Sequence, residues 1–568
     1  MEFTHTEVDG VPAFWTPAGN DLAAGLVFRV GRADETLTTA GITHMIEHLA
    51  LHPLGIEAQL HYNGQVDDLT TTFVVRGSAA KIVSFFRVVC GSLHDLPAER
   101  LAKEKQVLRA EADTRVPVAT AALLRLRYGA QTYGLSAFPE FGVARLMPPD
   151  LTRWAARWFT RGNAALWVAG GPPPAGLRLE LPVGPPIPAP VAVNRLPATP
   201  AYCTAAVQGV CASGLVARST AGEVYSAILR SRLVREVRHE QALSYSPNAA
   251  YVVRDREFAH VLAAADASPE TRSKLVPAFL EVIERLAHYP VTEEELREVT
   301  ESLRAAGVSP SASALRVASA ARNRVMGRAA LSIEDRQAEL SALSAGQIQE
   351  VAADVLDSSL FAVPHGSDLR GQRFTRLPLP PDPIPTGRRI RSADYPFDRS
   401  RLVISRDRVA LLNGATAASV RYNDCAALLT WPDGARQLIG QDGLAVHVEP
   451  TLWQTKAGLI TAIDTRVGGD CLVEMPARPV DQLPVPRTSA RRRAVAIFLT
   501  HPRAVAILGV VSVFALFLAV MNDWHADVVG CLLLLPAMWA ATSLLRAARA
   551  RLWRSARRKM QQPPMAAM

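Results

Sequence analysis

Two histidines and a glutamate stand at the spacing His44-x-x-Glu47-His48, within Gly41-Ile42-Thr43-His44-Met45-Ile46-Glu47-His48-Leu49-Ala50. On a helix, residues four apart project from one face, so both imidazoles are offered to a single point. That suits two ligands of one metal ion, and Glu47 is placed to take a proton from water held there as a general base. With 13 histidines in 568 residues, chance alone would produce the pattern roughly 0.03 times. A catalytic zinc takes three protein ligands and leaves a fourth position open. The segment 97–113 supplies candidates for the third: it reads as a helix with Pro97 in its first turn, and Glu104 and Glu111, seven apart, fall on nearly one face. Either glutamate can serve; taken without the histidines, both would read as solvated helix-surface charges. His52, His61, His447 and His525 read as surface or structural residues.

The elements that must position these groups are marked off by proline. The chain is too long for one core, and 49% hydrophobic with 20% charged residues it is globular in bulk. Pro172-Pro173-Pro174 and the stretch 182–200 forbid helix after the strand-like Ala165-Leu166-Trp167-Val168-Ala169, which puts a boundary near 185. A second proline-rich stretch, 377–387, closes another block of similar size. The reading is an α+β protein with two tandem α/β-sandwich units, 1–185 and 186–372, then a linker, 373–395. The block 396–480 alternates short strand-like runs with turn signals such as Trp431-Pro432-Asp433-Gly434 and is expected to be a small β-rich module. Its segment 451–467 is the candidate closing helix, an arrangement similar to pleckstrin-homology-like domains.

The formal charge of +9 invites a nucleic-acid reading, but much of the excess is C-terminal. Arginines in the juxtamembrane stretch 481–503 and the tail 546–568 flank two uncharged apolar runs, 504–522 and 528–545. Each is long enough to span a bilayer, and the short link carrying Asp523 and Asp527 makes them a transmembrane hairpin over 504–545. The positive-inside rule then puts the N-terminal bulk and the tail in the cytoplasm, with a lipid bilayer rather than nucleic acid as partner. The start is acidic and offers no cleavable signal peptide. Six scattered cysteines fit a reducing compartment, and arginine far outweighing lysine, with abundant alanine, suggests a GC-rich bacterial source. The expected location is a bacterial inner membrane.

These residues resemble the pitrilysin, insulin-degrading enzyme and mitochondrial processing peptidase family of zinc metallopeptidases, the inverzincins, over roughly residues 10–370. The helix pattern Glu-x-x-Val-x-x-x-Glu of that family is matched by Glu104-Lys105-Gln106-Val107-Leu108-Arg109-Ala110-Glu111. The resemblance implies one zinc per chain held by His44, His48 and Glu111, with Glu47 as base and Glu104 supporting a ligand. It implies that Asn63-Gly64-Gln65-Val66-Asp67-Asp68-Leu69-Thr70 is the strand to which an extended peptide adds, with Asp67, Asp68 and Thr70 as substrate contacts. The 62 residues between His48 and Glu111 are fewer than the family has, so a helix there is expected to be trimmed. In the second block, Arg238 and Tyr245 match the arginine and tyrosine of the family's Arg-x-x-x-Gly-Leu-Ala-Tyr-Ser segment, which face the zinc across the substrate and suit an oxyanion. Ala242 and Ser244 replace that segment's Gly and Ala. Thr220-Ala221-Gly222 heads a helix as Thr39-Ala40-Gly41 does, but Tyr225 and Leu229 stand where the histidines would be, so this unit is a metal-free copy. Two such units imply half a clamshell, completed by a homodimer or a separate subunit, acting on short or unfolded peptides. The alternatives are a non-catalytic peptide-binding or assembly subunit, or a membrane scaffold that senses anionic lipid.

Overall fold

The computed structural model describes residues 3–17, 22–55, 61–111, 117–308, 312–369, 373–379, 385–413, 416–453, 457–489 and 492–493. Both predicted membrane runs lie outside these residues; among the described residues no helix is long and apolar enough to cross a membrane. The chain divides into two compact units, one of residues 1–379 with 439–444 and one of the remainder.

The first unit holds two six-stranded sheets built to one plan. In the N-terminal half the strands are β1 (Thr4–Val8), β2 (Val11–Thr16), β3 (Ala23–Phe28), β4 (His61–Val66), β5 (Thr71–Arg76) and β6 (Ala164–Ala169), in the order β1-β2-β6-β3-β5-β4. The C-terminal half has β7 (Ala201–Ala205), β8 (Val210–Ala217), β9 (Asn248–Val253), β10 (Phe258–Ala265), β11 (Leu360–Pro364) and β12 (Thr375–Leu377), in the order β12-β7-β11-β8-β10-β9. In both, the third strand in the order is parallel to the second and antiparallel to the fourth, and the last three are antiparallel to their neighbours, with the later strand of the final hairpin placed inside. The first strand differs: β1 is antiparallel to β2, while β12 returns from the far end of the half to run parallel to β7. The expected linker 373–395 is therefore shorter than the proline content suggests, since 375–377 already belong to a sheet. Backbone N–H groups of the second sheet's edge recruit these residues despite their proline neighbours.

Helices α1 (Ile42–Leu51), α2 (Ala79–His94), α3 (Leu101–Glu111), α4 (Val118–Tyr128) and α5 (Pro148–Trp158) belong to the first half. The second contributes α6 (Thr220–Arg232), α7 (Arg272–His288), α8 (Glu293–Val308), α9 (Ala312–Val325), α10 (Ile333–Ala342) and α11 (Ala345–Asp357). The central strands β3, β6 and β11 are apolar throughout because they are covered on both faces, and alternate residues go to different cores. In β3, Ala24, Leu26 and Phe28 join the core of α1, α2 and α5, whereas Ala23 and Val27 face Val317, Ala320 and Ala321 of α9, a helix from the other half. The favour is returned: Ala122 and Leu123 of α4 pack on Ala201, Cys203, Leu360 and Ala362 of the second sheet.

A buried polar chain reinforces this exchange. Arg127, 1% exposed, donates from Nη2 to the carbonyls of Ser213 and Ser358, both at 2.8 Å. Beside it the Tyr128 hydroxyl accepts from Arg254 and donates to His260 Nε2 at 2.6 Å, leaving Nδ1–H for the Ser213 hydroxyl at 3.1 Å.

In the second unit, β13 (Arg388–Arg391), β14 (Arg401–Ile404), β15 (Arg408–Asn413) and β16 (Thr416–Arg421) form one antiparallel sheet. A further sheet has the order β19-β18-β17-β20, from β17 (Cys425–Thr430), β18 (Arg436–Gly440), β19 (Ala445–Val448) and β20 (Leu472–Glu474). Helices α12 (Pro450–Trp453) and α13 (Ala457–Asp464) close the block, and Ile460 and Ile463 of α13 enter a core with Leu402, Val409, Leu428 and Val446. This sheet departs from a plain strands-then-helix module, because β20 follows α13 and pairs parallel with β17.

Burial, with the charges of Arg127 and Arg254, drives the His260 pKa down to about 3 from the ordinary 6.5. The unfolded chain then binds a proton that the folded chain refuses, so this group's contribution to stability is complete above about pH 6.5 and is lost as pH falls towards about 3. His260→Gln, which can still bond both neighbours, is expected to flatten the fall in urea midpoint between about pH 7 and pH 5 relative to the parent.

Candidate functional site

The site is built on α1. Its apolar side, Met45, Ile46, Leu49 and Ala50, is fully buried, which turns His44 and His48 to the opposite side at the sheet margin. The free N–H groups at the start of α1 are taken by one buried carboxylate: Glu35 accepts from Gly41 N at 2.8 Å and Thr43 N at 3.0 Å. Burial pushes the Glu35 pKa up to about 8, against those two donors. Gly41 has φ +94°, and a Cβ there would stand 2.5 Å from Val143 and 2.8 Å from the Glu140 Cβ. Only glycine lets the chain turn into α1 while the Glu140 loop closes on it.

The two imidazoles lie 4.6 Å apart edge to face. His44 Nδ1 meets Glu140 Oε2 at 3.2 Å and His48 Nδ1 meets Glu104 Oε2 at 3.3 Å. Each carboxylate holds its ring with Nδ1 protonated, so both Nε2 lone pairs point the other way. There they converge. Glu111 Oε2 is 3.7 Å from His44 Nε2 and 3.7 Å from His48 Nε2, and Glu47 Oε2 is 3.8 Å from each. Two imidazole nitrogens and a carboxylate oxygen, with a second carboxylate beside them, are the donor set a catalytic zinc site uses, and the residues present fit that ion. The glutamates of the 97–113 segment thus divide by geometry: Glu111 faces the ligand point, and Glu104 stands behind His48, itself held by Arg100 at 3.2 Å. Helix α3 begins at Leu101 after a short turn, and Glu111 is its last described residue.

Among the described residues strand β4 is an edge of the first sheet, and its backbone passes directly over the base: a Cβ on Gly64 would sit 1.7 Å from Glu47 Oε1. The expected substrate strand 63–70 is accordingly corrected. Residues 61–66 form the edge, whereas Asp67, Asp68 and Thr70 lie in the turn to β5. Asp67 pairs with Arg322 at 3.3 Å, Asp68 accepts from the Ser136 hydroxyl, and Thr70 is buried.

In the second half, α6 runs into a π-helical stretch, Leu233–Glu240. Arg238 lies over the Tyr245 ring at 5.0 Å, and Tyr245 is 77% exposed. Among the described residues no hydrogen bond or ion pair joins this pair to the histidine cluster. Ala242 takes φ +52°, the left-handed turn that the matching segment assigns to glycine. The loop is fixed by Asp266, which accepts from Ser244 Oγ at 2.6 Å and Ser246 N at 2.7 Å. Although burial opposes it, these bonds hold the Asp266 carboxyl at about 2. Tyr225 and Leu229 are fully buried, so the helix that corresponds to α1 is committed to packing. Glu35, Glu140 and Gly64 carry no motif spacing; only the fold brings them to the site.

Residues 199–303 match the family model described as the Peptidase M16 inactive domain. The chain resembles the M16, pitrilysin-type, peptidases in sequence and in fold. A protease from Helicobacter pylori superposes with TM-score 0.54 at 16% identity, covering 64% of this chain and 99% of that one. An M16 inactive domain from Pseudomonas fluorescens does so with TM-score 0.54 at 14% identity, over 66% of this chain and 100% of that one. The periplasmic protease PqqL from Escherichia coli matches with TM-score 0.51 at 12% identity, over 77% of this chain but 55% of its own. No curated protein matches by sequence. The M16 inactive-domain match falls on the half whose helix carries Tyr225 and Leu229.

Two outcomes follow from the geometry. Glu104→Ala and Glu140→Ala are each expected to weaken zinc binding about 10–100-fold in competition with a chromogenic chelator, while His48→Ala abolishes it. Gly64→Ala is expected to displace Glu47 and cut kcat of any hydrolysis at least about tenfold with zinc content unchanged.

Proposed function

We propose that this M16-type chain is a zinc-dependent endopeptidase for short or unfolded peptides, held at a bacterial inner membrane by the 504–545 segment with its peptidase halves cytoplasmic. The observation that carries the reading is the common point faced by both Nε2 atoms, Glu111 and Glu47, with each opposite ring nitrogen locked by its own carboxylate. His44, His48 and Glu111 would hold the zinc, which supplies a Lewis acid that lowers the pKa of water. An extended peptide adds to the free edge of β4 through backbone hydrogen bonds, which sets its scissile carbonyl over Glu47. Glu47, only 6% exposed, takes the proton from the attacking water and returns it to the departing amide nitrogen. Arg238 and Tyr245 offer a guanidinium and a phenol to the carbonyl oxygen once the chamber closes. Closure calls for a second half, because the chain spans about half the length of the PqqL neighbour; a homodimer or a separate subunit supplies it.

A second reading, a non-catalytic peptide-binding or assembly subunit, draws support from the inactive-domain match and from the short interval before Glu111. One comparison separates the two. With full-length protein and a quenched unstructured peptide library, the parent is expected to bind about one zinc and cleave, and Glu47→Gln to keep zinc and lose about 10²–10⁴-fold in kcat. Zinc retention without cleavage by the parent would establish the second reading.

A further inference from the structure

Away from the histidine site, the second half contains a half-open cavity of about 840 Å³ lined by the start of α6, β9, the end of α8, α9 and α10. Five arginines line it against two glutamates. Arg336 is neutralised by Glu223 at 2.8 Å, and Glu339 accepts from the Thr220 hydroxyl. The other four arginines have no carboxylate partner among the described residues. Arg218 donates to the Asn323 side chain and the Asp255 carbonyl, and Arg304 to the Ser341 hydroxyl. Arg316 and Arg328 spend one donor each on the carbonyls of Gly307 and Arg256. The Arg304 Nε is buried with no acceptor. Guanidinium groups gathered in a hollow repel one another, and the crowding of Arg328 and Arg322 on Arg218, after burial, lowers the Arg218 pKa.

Much of the remaining wall is apolar, interspersed with polar side chains such as Ser319, Ser332, Gln337 and Gln347. Leu303, Leu340 and Leu343 line it, and Leu315 and Leu331, 73% and 42% exposed, stand with their side chains open at its mouth. A hollow of this size with a greasy wall and unpaired guanidinium groups is matched in shape and charge by one kind of small molecule. We infer that this cavity binds an anionic amphiphile, a carboxylate or phosphate head on a single alkyl tail, with the head on Arg218, Arg304, Arg316 and Arg328 and the tail along the leucines. The site is separate from the zinc ligands and does not depend on the peptidase reading.

The test uses the full-length chain and a laurate analogue with a photoactivated diazirine in its tail, followed by peptide mapping. Crosslinks are expected on α8, α9 and α10, removed by excess laurate and spared by excess dodecanol. The double variant Arg316→Ser/Arg328→Ser should reduce them at least about tenfold while labelling of the apolar 504–545 segment, an internal reference for partitioning, stays constant. Dodecyl phosphate competing at least about tenfold better than laurate would assign the head as phosphate, and the reverse as carboxylate. Equal competition by dodecanol, or unchanged labelling in a variant whose thermal midpoint matches the parent, would overturn the inference. So would labelling confined to 504–545.

Discussion

The central strands of both sheets in the first unit carry apolar residues on both faces, and each sheet is covered on one of them by helix from the other half. The cover is an exchange: α9 of the second half lies on the outer face of the first sheet, and α4 of the first half lies on the second. Removing either helix would expose a row of alternate strand residues to water, at about 25 cal/mol for each Å² of apolar surface. The exchange also governs the site. Helix α4 sits in sequence between α3, which carries Glu104 and Glu111, and the loop that carries Glu140. Anchoring α4 on the far sheet, with Arg127 and Tyr128 locked to Ser213, Ser358 and His260, holds the chain on both sides of it and so brings three acidic residues to two histidines.

Within the site the same economy recurs. One buried carboxylate, Glu35, satisfies two donors at the start of α1, and two others fix the tautomer of each histidine. A ring locked by its Nδ1 has no choice over where Nε2 points, so the cost of ordering it is met during folding rather than on metal binding. The two halves make a natural control. They share the order of the inner strands and place a helix directly after the fourth strand of that order, α1 after β3 and α6 after β8, yet Tyr225 and Leu229 replace the histidines and are sealed in the core. A helix whose outward positions are apolar is pulled into its sheet, whereas the imidazoles of α1 keep one side polar and half-open.

Much of this could be read from residue order. The spacing of His44, Glu47 and His48 survives translation into geometry because i, i+3 and i+4 share a helix face whatever surrounds the helix. Glu104 and Glu111 are likewise tied by a seven-residue helical repeat, though only the folded structure shows which faces the ligand point. The strand Asn63–Thr70 was legible as extended, but its turn at Asp67 and Asp68 was not, since hairpin bonding to Arg32 and Ala33 decides where pairing stops. The same holds at 375–377, where proline-rich sequence still yields an edge strand.

By itself, then, the sequence determined what is local: the two-ligand helix, the helix carrying the third carboxylate, the proline joints, and the apolar runs of strands buried on both faces. Tertiary structure alone decided which helix covers which sheet, that Glu140 and Glu35 complete the site, and that Gly64 must lack a side chain to pass Glu47. The reason is physical. Helix and strand periodicity are written in neighbouring residues, whereas a contact between residues far apart in the chain depends on packing that no short window contains.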